Sequence, residues 1–373
     1  MRIGVDVSIL DAPRAGIARY LVNTLREMLQ ADTQHDFLLY SDRATELALP
    51  EGNWRMRVSG GRLPRLRALW VQRDLARALR ADQVDVFWGQ NYRVPRSIHR
   101  GCRLLVTVHD IAGFLVPNTM PISRRLNSRL HLAGAVRRAD HVVTVSLSTA
   151  HQLTRVFGLN PMKLSVVHPG CDGAFGPIPP PRVSAVIQSR FGLSPGYLIA
   201  VGTLEPRKNL GVLLDAIDRI KHPPPLVVVG QLGWRYGSVL RQLRRQQRSG
   251  RVLHLTNVSD VDLAALYCGA SLMVFPSLYE GFGSPVLEAM ACACPVLCSW
   301  SSSLPEVGGQ AAAYFHPRHP AELAAKIGEL MNNREVRREM ASAGPVQAAR
   351  FSYPIGARRL LELMQNLIEG GPV

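Results

Sequence analysis

The sequence lacks the features that mark several common classes of protein. Six cysteines in 373 residues form no Cys-x-x-Cys pair, which argues against a zinc site or a disulfide scaffold. We interpret them as buried apolar residues in a reducing cytoplasm. No secretory signal opens the chain, and no uncharged apolar run approaches the ~20 residues that cross a bilayer, so we expect surface association with a membrane at most.

Several catalytic motifs are absent too. No Gly-x-Gly-x-x-Gly follows the first strand-like run, and no P-loop or His-Glu-x-x-His motif occurs. These absences argue against dinucleotide enzymes, P-loop NTPases and zinc proteases. Helix-turn-helix and zinc-finger signatures are missing, and aromatic residues make up only 6%, which disfavours a nucleic-acid binder.

Basic residues outnumber acidic ones by 44 to 28, although only four of the 44 are lysines. Residues 1–170 carry 24 basic and 13 acidic side chains, whereas residues 171–373 carry 20 and 15. A basic first half fits an anionic membrane or lipid-linked substrate best, then a solvated basic face, and nucleic acid least. Arg62, Arg65, Arg67, Arg73, Arg77 and Arg80, with Leu63, Leu66, Leu69 and Trp70 between them, form the predicted membrane-facing segment.

Short β-branched runs alternate with amphipathic segments along the chain. The strand-like runs are 2–9, 36–40, 84–88, 103–108, 141–146, 197–201, 226–229, 252–255 and 272–275. The helical patterns fall at about 16–30, 65–80, 123–138, 148–157, 209–220, 236–248, 260–268 and 353–369. Apolar strands separated by helices predict an α/β fold with two Rossmann-like, doubly wound parallel sheets.

A proline run at residues 176–181 is the predicted boundary between the sheets. It gives one domain at 1–180, a second at 181–352, and a C-terminal helical segment at 353–373. Two such domains would leave a ligand cleft between the carboxyl ends of their strands.

Four motifs at strand ends carry the predicted chemistry. Gly16 opens a helix after the first strand, where bare backbone suits a phosphate, and His109 ends another strand. Gly202 ends a strand, and Arg207 and Lys208 follow in a short loop suited to a diphosphate. The most specific motif runs over residues 276–290, where two glutamates eight residues apart flank a Gly-x-Gly turn before a helix.

These residues resemble retaining glycosyltransferases of family 4, which have the GT-B fold. The resemblance covers nearly the whole chain and implies that the N-terminal domain binds the acceptor and the C-terminal domain binds a nucleotide sugar. It also implies that the C-terminal helix packs back on the N-terminal domain. Ser284 departs from the apolar residue common in the family.

The resemblance also implies roles for individual residues. Arg207 and Lys208 would hold the diphosphate, Glu280 the hydroxyls of the transferred sugar, and Glu288 the ribose hydroxyls. His109 would lie beside the donor sugar. The donor-binding backbone would come from Gly16, Gly202, Gly281, Phe282, Gly283, Val286 and Leu287.

The implied reaction is hexosyl transfer with retention of the anomeric configuration, by front-face substitution. No Asp-x-Asp pair ends a strand, so we expect Arg207 and Lys208 to neutralise the leaving group without a metal cofactor. GDP-mannose or a GDP-deoxyhexose is the favoured donor, before UDP- and dTDP-sugars. A lipid-linked or polysaccharide acceptor in O-antigen or exopolysaccharide synthesis, at the cytoplasmic face of the plasma membrane, fits the basic first half.

Four alternatives remain open. A GT-B nucleotide-sugar epimerase or a glycogen-type phosphorylase would use similar phosphate sites. A UDP-sugar-dependent glucosyltransferase would share the fold, and a nucleic-acid-binding protein is the least favoured reading.

Overall fold

The computed structural model describes residues 1–11, 16–31, 34–58, 67–90 and 92–371, and the chain divides into two compact units. The first unit comprises Met1–Ile111, Leu126–Gly170 and Ser352–Val373; the second comprises Ala112–Arg125 and Cys171–Phe351. The first unit therefore gives way to the second at residue 170, before the proline run at which the sequence predicts the boundary. Residues 112–125 also belong with the second unit, which no composition shift in the sequence signals.

The first unit contains a parallel sheet of seven described strands in the order β3-β2-β1-β4-β5-β6-β7. These are β1 (Arg2–Asp6), β2 (Asp36–Ser41), β3 (Trp54–Val58), β4 (Val86–Gly89), β5 (Arg103–Val108), β6 (His141–Thr144) and β7 (Leu164–Val166). β1 pairs with both β2 and β4, so the strand order reverses beside it. In open α/β sheets, ligands bind at the carboxyl ends of the strands where this reversal occurs.

The second unit repeats this topology in a parallel sheet of six described strands, in the order β10-β9-β8-β11-β12-β13. These are β8 (Leu198–Val201), β9 (Leu226–Val229), β10 (Val252–Leu255), β11 (Leu272–Phe275), β12 (Val296–Ser299) and β13 (Ala312–Phe315). Its reversal lies between β8 and β11. The predicted α/β fold with two doubly wound parallel sheets is confirmed.

Helices connect the strands and continue after the last one. They are α1 (Gly16–Ala31), α2 (Arg67–Leu69), α3 (Ala76–Ala81), α4 (Ala112–Leu115), α5 (Ile122–Arg138), α6 (Leu147–Phe157), α7 (Pro180–Phe191), α8 (Leu210–Arg219), α9 (Gly237–Arg248), α10 (Asp260–Gly269), α11 (Ser284–Ala291), α12 (Leu304–Gly308), α13 (Pro320–Asn332), α14 (Arg334–Ala348) and α15 (Tyr353–Glu369). A π-helical segment, Trp70–Leu75, joins α2 to α3. No helix among the described residues combines the length and the apolar character that crossing a membrane requires.

The C-terminal helix α15 packs against α1 in the first unit, as predicted. Gly170 makes this approach possible, because a Cβ there would lie 2.3 Å from the backbone nitrogen of Tyr353. Gly356 also lies close to Val167, the residue after β7, because a Cβ on Gly356 would lie 3.2 Å from Val167 Cγ1. The return of α15 thus depends on two positions without side chains.

Four strands were not predicted: β3, β7, β12 and β13. β3 alternates arginines with apolar residues and lies at a sheet edge, with Arg55 and Arg57 exposed. β7 spans only Leu164–Val166 and ends the other edge. Edge strands are partly exposed to solvent, so their sequences lack the continuous apolar run that identifies a central strand.

The predicted membrane-facing segment is only partly supported. Arg62, Leu63, Arg65 and Leu66 lie outside the described residues. Arg67 turns inward, where it donates to both carboxylate oxygens of Asp42 and to the carbonyl of Ser8. Trp70 is buried, whereas Leu69, Arg73, Arg77 and Arg80 are exposed. The outward basic face is therefore shorter than predicted, because Asp42 pairs with its first described arginine.

Candidate active site

The loop after β8 fixes two adjacent cations at the carboxyl edge of the second sheet. Pro206 begins a tight helical turn that ends at Lys208, and Asn209 then adopts a left-handed conformation with φ 55°. Asparagine tolerates this conformation better than most residues. Its side-chain amide donates to the carbonyls of Pro276 (3.0 Å) and Pro317 (2.7 Å). These bonds anchor the start of α8 to the segments that follow β11 and β13.

Arg207 and Lys208 both contact the carboxylate of Glu280, which follows β11. Arg207 Nη1 lies 2.8 Å from Glu280 Oε2, and Lys208 Nζ lies 2.7 Å from Oε1. Arg207 Nη2 lies 2.7 Å from Glu205 Oε1 and Nη1 also donates to the Tyr279 carbonyl at 2.9 Å. The four charged side chains are at most 16% exposed. Two cations and two carboxyl groups thus form one compact cluster, hereafter the charged cluster.

The two carboxyl groups of the charged cluster titrate differently. Burial would raise the pKa of Glu280, but the charges of Arg207 and Lys208 outweigh it and hold that pKa at about 2. Burial raises the pKa of Glu205 above its usual value, and the same cations only partly offset this effect. Glu280 is therefore a permanent anion at neutral pH, and Glu205 is the carboxyl group that protonates first as the pH falls.

Two serines that the sequence did not single out hold the turn after Glu280. The Glu280 N–H donates to Ser302 Oγ at 2.8 Å. Ser303 Oγ donates to the Phe282 carbonyl at 2.7 Å and lies 3.1 Å from the Glu280 carbonyl. The serine run 301–303 after β12 was the available signal, because serine hydroxyls readily hydrogen-bond backbone groups in turns.

Glycines allow close approach on both sides of this turn. Gly283 has φ 111°, and a Cβ there would lie 2.7 Å from Leu304 Cδ2. Gly202, with φ 149°, packs under the side chain of Lys208, whose Cδ would lie 3.4 Å from an added Cβ. Gly230 carries no side chain because its Cβ would lie 2.0 Å from the Gly202 carbonyl oxygen. A side chain on Gly230 would therefore displace the backbone at Gly202, and one on Gly202 or Gly283 would strain a backbone conformation that favours glycine.

Helix α11 places the remaining predicted donor-binding residues. The N–H groups of Val286 and Leu287 lie 2.9 and 3.4 Å from the Gly283 carbonyl, and both residues are fully buried. The first turn of α11 therefore engages both amides itself. Glu288 is buried and accepts a hydrogen bond from the Tyr267 hydroxyl at 3.3 Å. Phosphate contact at 286–287 and ribose contact at Glu288 stay predictions.

Gly16 and His109 belong to the first unit. Gly16 begins α1, and the residues just before it, 12–15, lie outside the described part of the chain. His109 follows β5, and its ring meets the Tyr20 ring edge-on with 5.0 Å between centroids. Burial lowers the pKa of His109 to about 4, although a hydrogen bond to the Gln90 carbonyl partly opposes this. The imidazole is therefore neutral at physiological pH.

Asp262, in the first turn of α10, has a structural role. Ser259 caps α10 by accepting from the Asp262 N–H, and its hydroxyl donates to the Asp262 carboxylate. Asp262 also pairs with Arg190 at 2.5 Å. Within the described ranges, no cluster of three or more histidine, cysteine or acidic side chains has the arrangement of a metal site.

Two family models match the chain, one in each half. Residues 14–175 match the model described as Glycosyltransferase Family 4, and residues 187–347 match the model described as Glycosyl transferases group 1. Together they include His109, the charged cluster and Glu288.

A curated relative and two solved structures match over nearly the full length. O-antigen chain mannosyltransferase B from Escherichia coli is 29% identical over 372 residues, which are 95% of this chain and 96% of the relative. Sucrose-phosphate synthase from Thermosynechococcus elongatus superposes with a TM-score of 0.79 at 18% identity, over 99% of this chain and all of its own. The Anabaena protein HepE, solved in complex with UDP-glucose, superposes with a TM-score of 0.77 at 17% identity, over 98% of this chain and all of its own.

Proposed function

The chain belongs to the family 4-like glycosyltransferases with the GT-B fold, and from this premise we propose that it transfers a hexose during synthesis of a cell-surface glycan. The proposed donor is GDP-mannose or a GDP-deoxyhexose, and the proposed acceptor is a lipid-linked or polysaccharide chain. The observation that carries the proposal is the pairing of Arg207 and Lys208 with Glu280 at the topological reversal of the second sheet. The first unit would hold the acceptor.

The charged cluster would bind the donor through its diphosphate. Glu280 contacts both cations and Glu205 contacts Arg207, so the two carboxyl groups together offset the charges of the two cations. A diphosphate offers several oxygens to the planar guanidinium and to the ammonium group, and the two cations can contact it while keeping Glu280 in place. Glu280 then stays beside the phosphate-linked sugar, where its oxygens can accept hydrogen bonds from sugar hydroxyls.

The same geometry supports the chemical step. Breaking the bond between the anomeric carbon and the diphosphate oxygen leaves negative charge on that oxygen, and two fixed, largely buried cations stabilise it. The sugar gains positive charge as the bond breaks, and the Glu280 carboxylate, ionised at neutral pH, stabilises that charge. We propose retention by front-face attack, in which the departing phosphate oxygen accepts the acceptor's hydroxyl proton. No metal is assigned a role in this scheme.

The identity of the sugar is proposed from the relatives. The Escherichia coli protein, alike over nearly its whole length, is named a mannosyltransferase, which favours mannose. HepE was solved with UDP-glucose, so UDP-glucose is the second candidate donor. An epimerase acting on a nucleotide sugar is the alternative that would need no acceptor.

A lipid-linked acceptor and a cytoplasmic, membrane-peripheral location are supported by the surface of the first unit. Arg73, Arg77 and Arg80 recur at helical spacing on one exposed face. On α5, Leu126 and Leu130 are 53% and 74% exposed. Exposed leucines and arginines on helices are typical of proteins that rest on anionic membranes.

The proposal is tested by incubating the purified protein with radiolabelled GDP-mannose, GDP-fucose, UDP-glucose and dTDP-rhamnose, with and without a lipid-linked glycan fraction. We expect label transfer from GDP-mannose that depends on the acceptor. Acceptor-independent isomerisation of a nucleotide sugar would instead support the epimerase, and no consumption of any donor would contradict the proposal. Lys208→Met provides the inactive control, and Lys221→Met, an exposed lysine remote in sequence from the motifs, the matched active control.

A further inference from the structure

The charged cluster contains one carboxyl group, Glu205, that the proposed donor contacts do not use. Its side chain is 2% exposed, and its Oε1 lies 2.7 Å from Arg207 Nη2. This contact lacks the alignment of a hydrogen bond, and Oε1 has no hydrogen-bond partner within the described part of the chain. Hydrogen bonds to a carboxylate stabilise its charged form, so Glu205 lacks one source of stabilisation as an anion.

Glu280, the other carboxyl group of the cluster, is better stabilised as an anion. Its Oε2 accepts a hydrogen bond from Arg207 Nη1 at 2.8 Å, and its Oε1 accepts one from Lys208 Nζ at 2.7 Å. These two charge-assisted bonds keep Glu280 ionised, with a pKa of about 2. Of the two carboxyl groups, Glu205 is therefore the one that gains a proton when the charge of the cluster changes.

The binding of a donor changes that charge. Two positive and two negative side chains balance within the charged cluster. The diphosphate of a nucleotide sugar adds two negative charges when it binds at Arg207 and Lys208. Because the four side chains are at most 16% exposed, solvent screens the added charge weakly. A buried excess of charge is unfavourable, and buried ionisable groups reduce it by changing their protonation state.

The surroundings of Glu205 offer no further cation to balance the diphosphate. The loop after β9 packs directly against this side chain, since a Cβ on Gly233 would lie 3.3 Å from Glu205 Cβ. That loop, residues 230–234, contains no titratable side chain. The charged groups that act most strongly on Glu205 all belong to the charged cluster: Arg207 and Lys208 from its own loop, and Glu280 from the segment after β11.

The two cations also limit how far burial affects Glu205. Burial raises the pKa of Glu205 above its usual value, and the charges of Arg207 and Lys208 partly offset this rise. Phosphate oxygens at the same two cations counteract their charges. The offset is then lost, and the pKa of Glu205 rises further when the donor binds.

We propose that Glu205 binds one proton when the diphosphate of the donor binds at Arg207 and Lys208, so that donor affinity depends on pH through this residue. The inference rests on the proposed function, in which the charged cluster holds the diphosphate. The proton comes from solvent and adds to the Glu205 carboxylate, and no other covalent bond forms or breaks. Glu205 is a positioning residue, because as a carboxylate it competes with the phosphate for Arg207 and as a neutral acid it does not.

Calorimetry measures the number of protons bound. GDP-mannose and UDP-glucose are the probes, because their diphosphates are esterified at both ends and lack the phosphate proton that titrates at about pH 6 in a terminal phosphate. At pH 7, the heat of binding is measured in PIPES, HEPES and imidazole, which differ in ionisation enthalpy. For the wild type, the heat should vary with that enthalpy with a slope of about one proton per donor bound.

Glu205→Gln resembles the protonated carboxyl group in shape and charge. It should bind no proton with the donor, and at pH 8 it should bind GDP-mannose more tightly than the wild type, which must first acquire the proton. Between pH 6 and pH 8, the wild-type affinity should fall by up to about tenfold per pH unit, whereas that of Glu205→Gln should stay constant. Glu339→Gln, the same change at an exposed position on α14, should behave as the wild type. A carboxylate with a merely structural role would instead lower the affinity at every pH when replaced.

The outcomes distinguish this inference from the proposed function. If the wild type binds a donor without binding a proton, the inference is overturned, and this result does not depend on the folding of Glu205→Gln. Proton binding that persists in Glu205→Gln would assign the proton to another group and also overturn it. Failure of both probes to bind would overturn the inference together with the donor site. If donor and proton bind together through Glu205 but no sugar reaches an acceptor, the proposed function fails and the inference stands.

Discussion

The two units share one sheet topology, but the polar groups at the carboxyl ends of their strands differ in charge. In the second unit, the reversal beside β8 and β11 carries Arg207, Lys208 and Glu280, each within 2.8 Å of an opposite charge. In the first, the reversal beside β1 and β4 carries Gln90, with His109 nearby, and their free polar atoms are neutral and unpaired. The same backbone arrangement therefore presents a balanced set of charges in one unit and unfilled neutral hydrogen bonds in the other.

The difference matches two kinds of ligand. A diphosphate must displace or share existing ion pairs, which favours a ligand with several charges. A sugar gains little from charge, and it fills donors and acceptors that are otherwise unsatisfied. The two edges thus differ in the charge and pairing of their polar groups although both arise from the same topology.

The largest effect is expected from a substitution that removes one cation of the charged cluster. Lys208→Met should lower kcat for hexosyl transfer by about 10²- to 10³-fold, the usual cost of removing one preorganised group that stabilises developing negative charge. Arg207 stays on Glu280, so circular dichroism should still report a folded protein. Steady-state kinetics beside Lys221→Met measures the effect, and wild-type turnover in Lys208→Met would remove the cluster from the mechanism.

The pH dependence of the free energy of unfolding should differ between the two units, and in the second unit it should depend on Glu280. Because its pKa is held at about 2, below the usual 4.5, its ion pairs stabilise the fold fully above pH 4.5 and lose this contribution as the pH falls toward 2. Glu280→Gln should therefore cost about 3 kcal/mol at pH 7 and progressively less below pH 4.5. Urea unfolding across this range measures the change, and a cost independent of pH would contradict the pairing.

In the first unit, His109 should change the stability of the fold in a different pH range. Its pKa of about 4 lies below the usual 6.5, so the unfolded chain binds the extra proton and stability falls as the pH drops from 6.5 to 4. The loss should reach about 3 kcal/mol in the wild type and vanish in His109→Phe, which retains the contact with Tyr20. Equal pH profiles of the two proteins between pH 4 and 6.5 would show that this imidazole is not buried neutral.

The smallest effect concerns the outer face of the first unit. Arg77→Gln should weaken binding to phosphatidylglycerol vesicles about fivefold at low salt, since each arginine near an anionic leaflet contributes about 1 kcal/mol. Arg67→Gln should weaken it less, because Arg67 pairs with Asp42 inside the unit. Vesicle sedimentation over a salt series measures both, and an equal loss would mean that the inward pairing opens at the membrane.

Much of the fold was predictable because central strands have a recognisable sequence pattern. β4, β5, β8, β9 and β11 are buried on both faces, and their continuous apolar runs identify a parallel sheet. β3 and β7 were missed because edge strands leave part of their surface to solvent or polar residues. The inward turn of Arg67 was missed because its partner Asp42 lies 25 positions away in sequence.

The candidate site also contains residues that the sequence predicted and residues that it did not. Arg207, Lys208 and Glu280 stand out because charged residues and glycines follow apolar strands, although only the folded chain brings 207 and 208 onto 280. Gln90 carries no charge and belongs to no motif, so its position after a strand was its only signal. The serines at 302 and 303 act through backbone groups, which sequence patterns reveal poorly.

The central claim is that the charged cluster binds a nucleoside diphosphate, and calorimetric titration of GDP and UDP in EDTA tests it most directly. We predict that the wild type binds GDP more tightly than UDP, that it binds guanosine far more weakly than GDP, and that Lys208→Met loses most of the advantage of GDP over guanosine. Equal affinities of the wild type and Lys208→Met for GDP, or no binding of either diphosphate to the wild type, would contradict the claim.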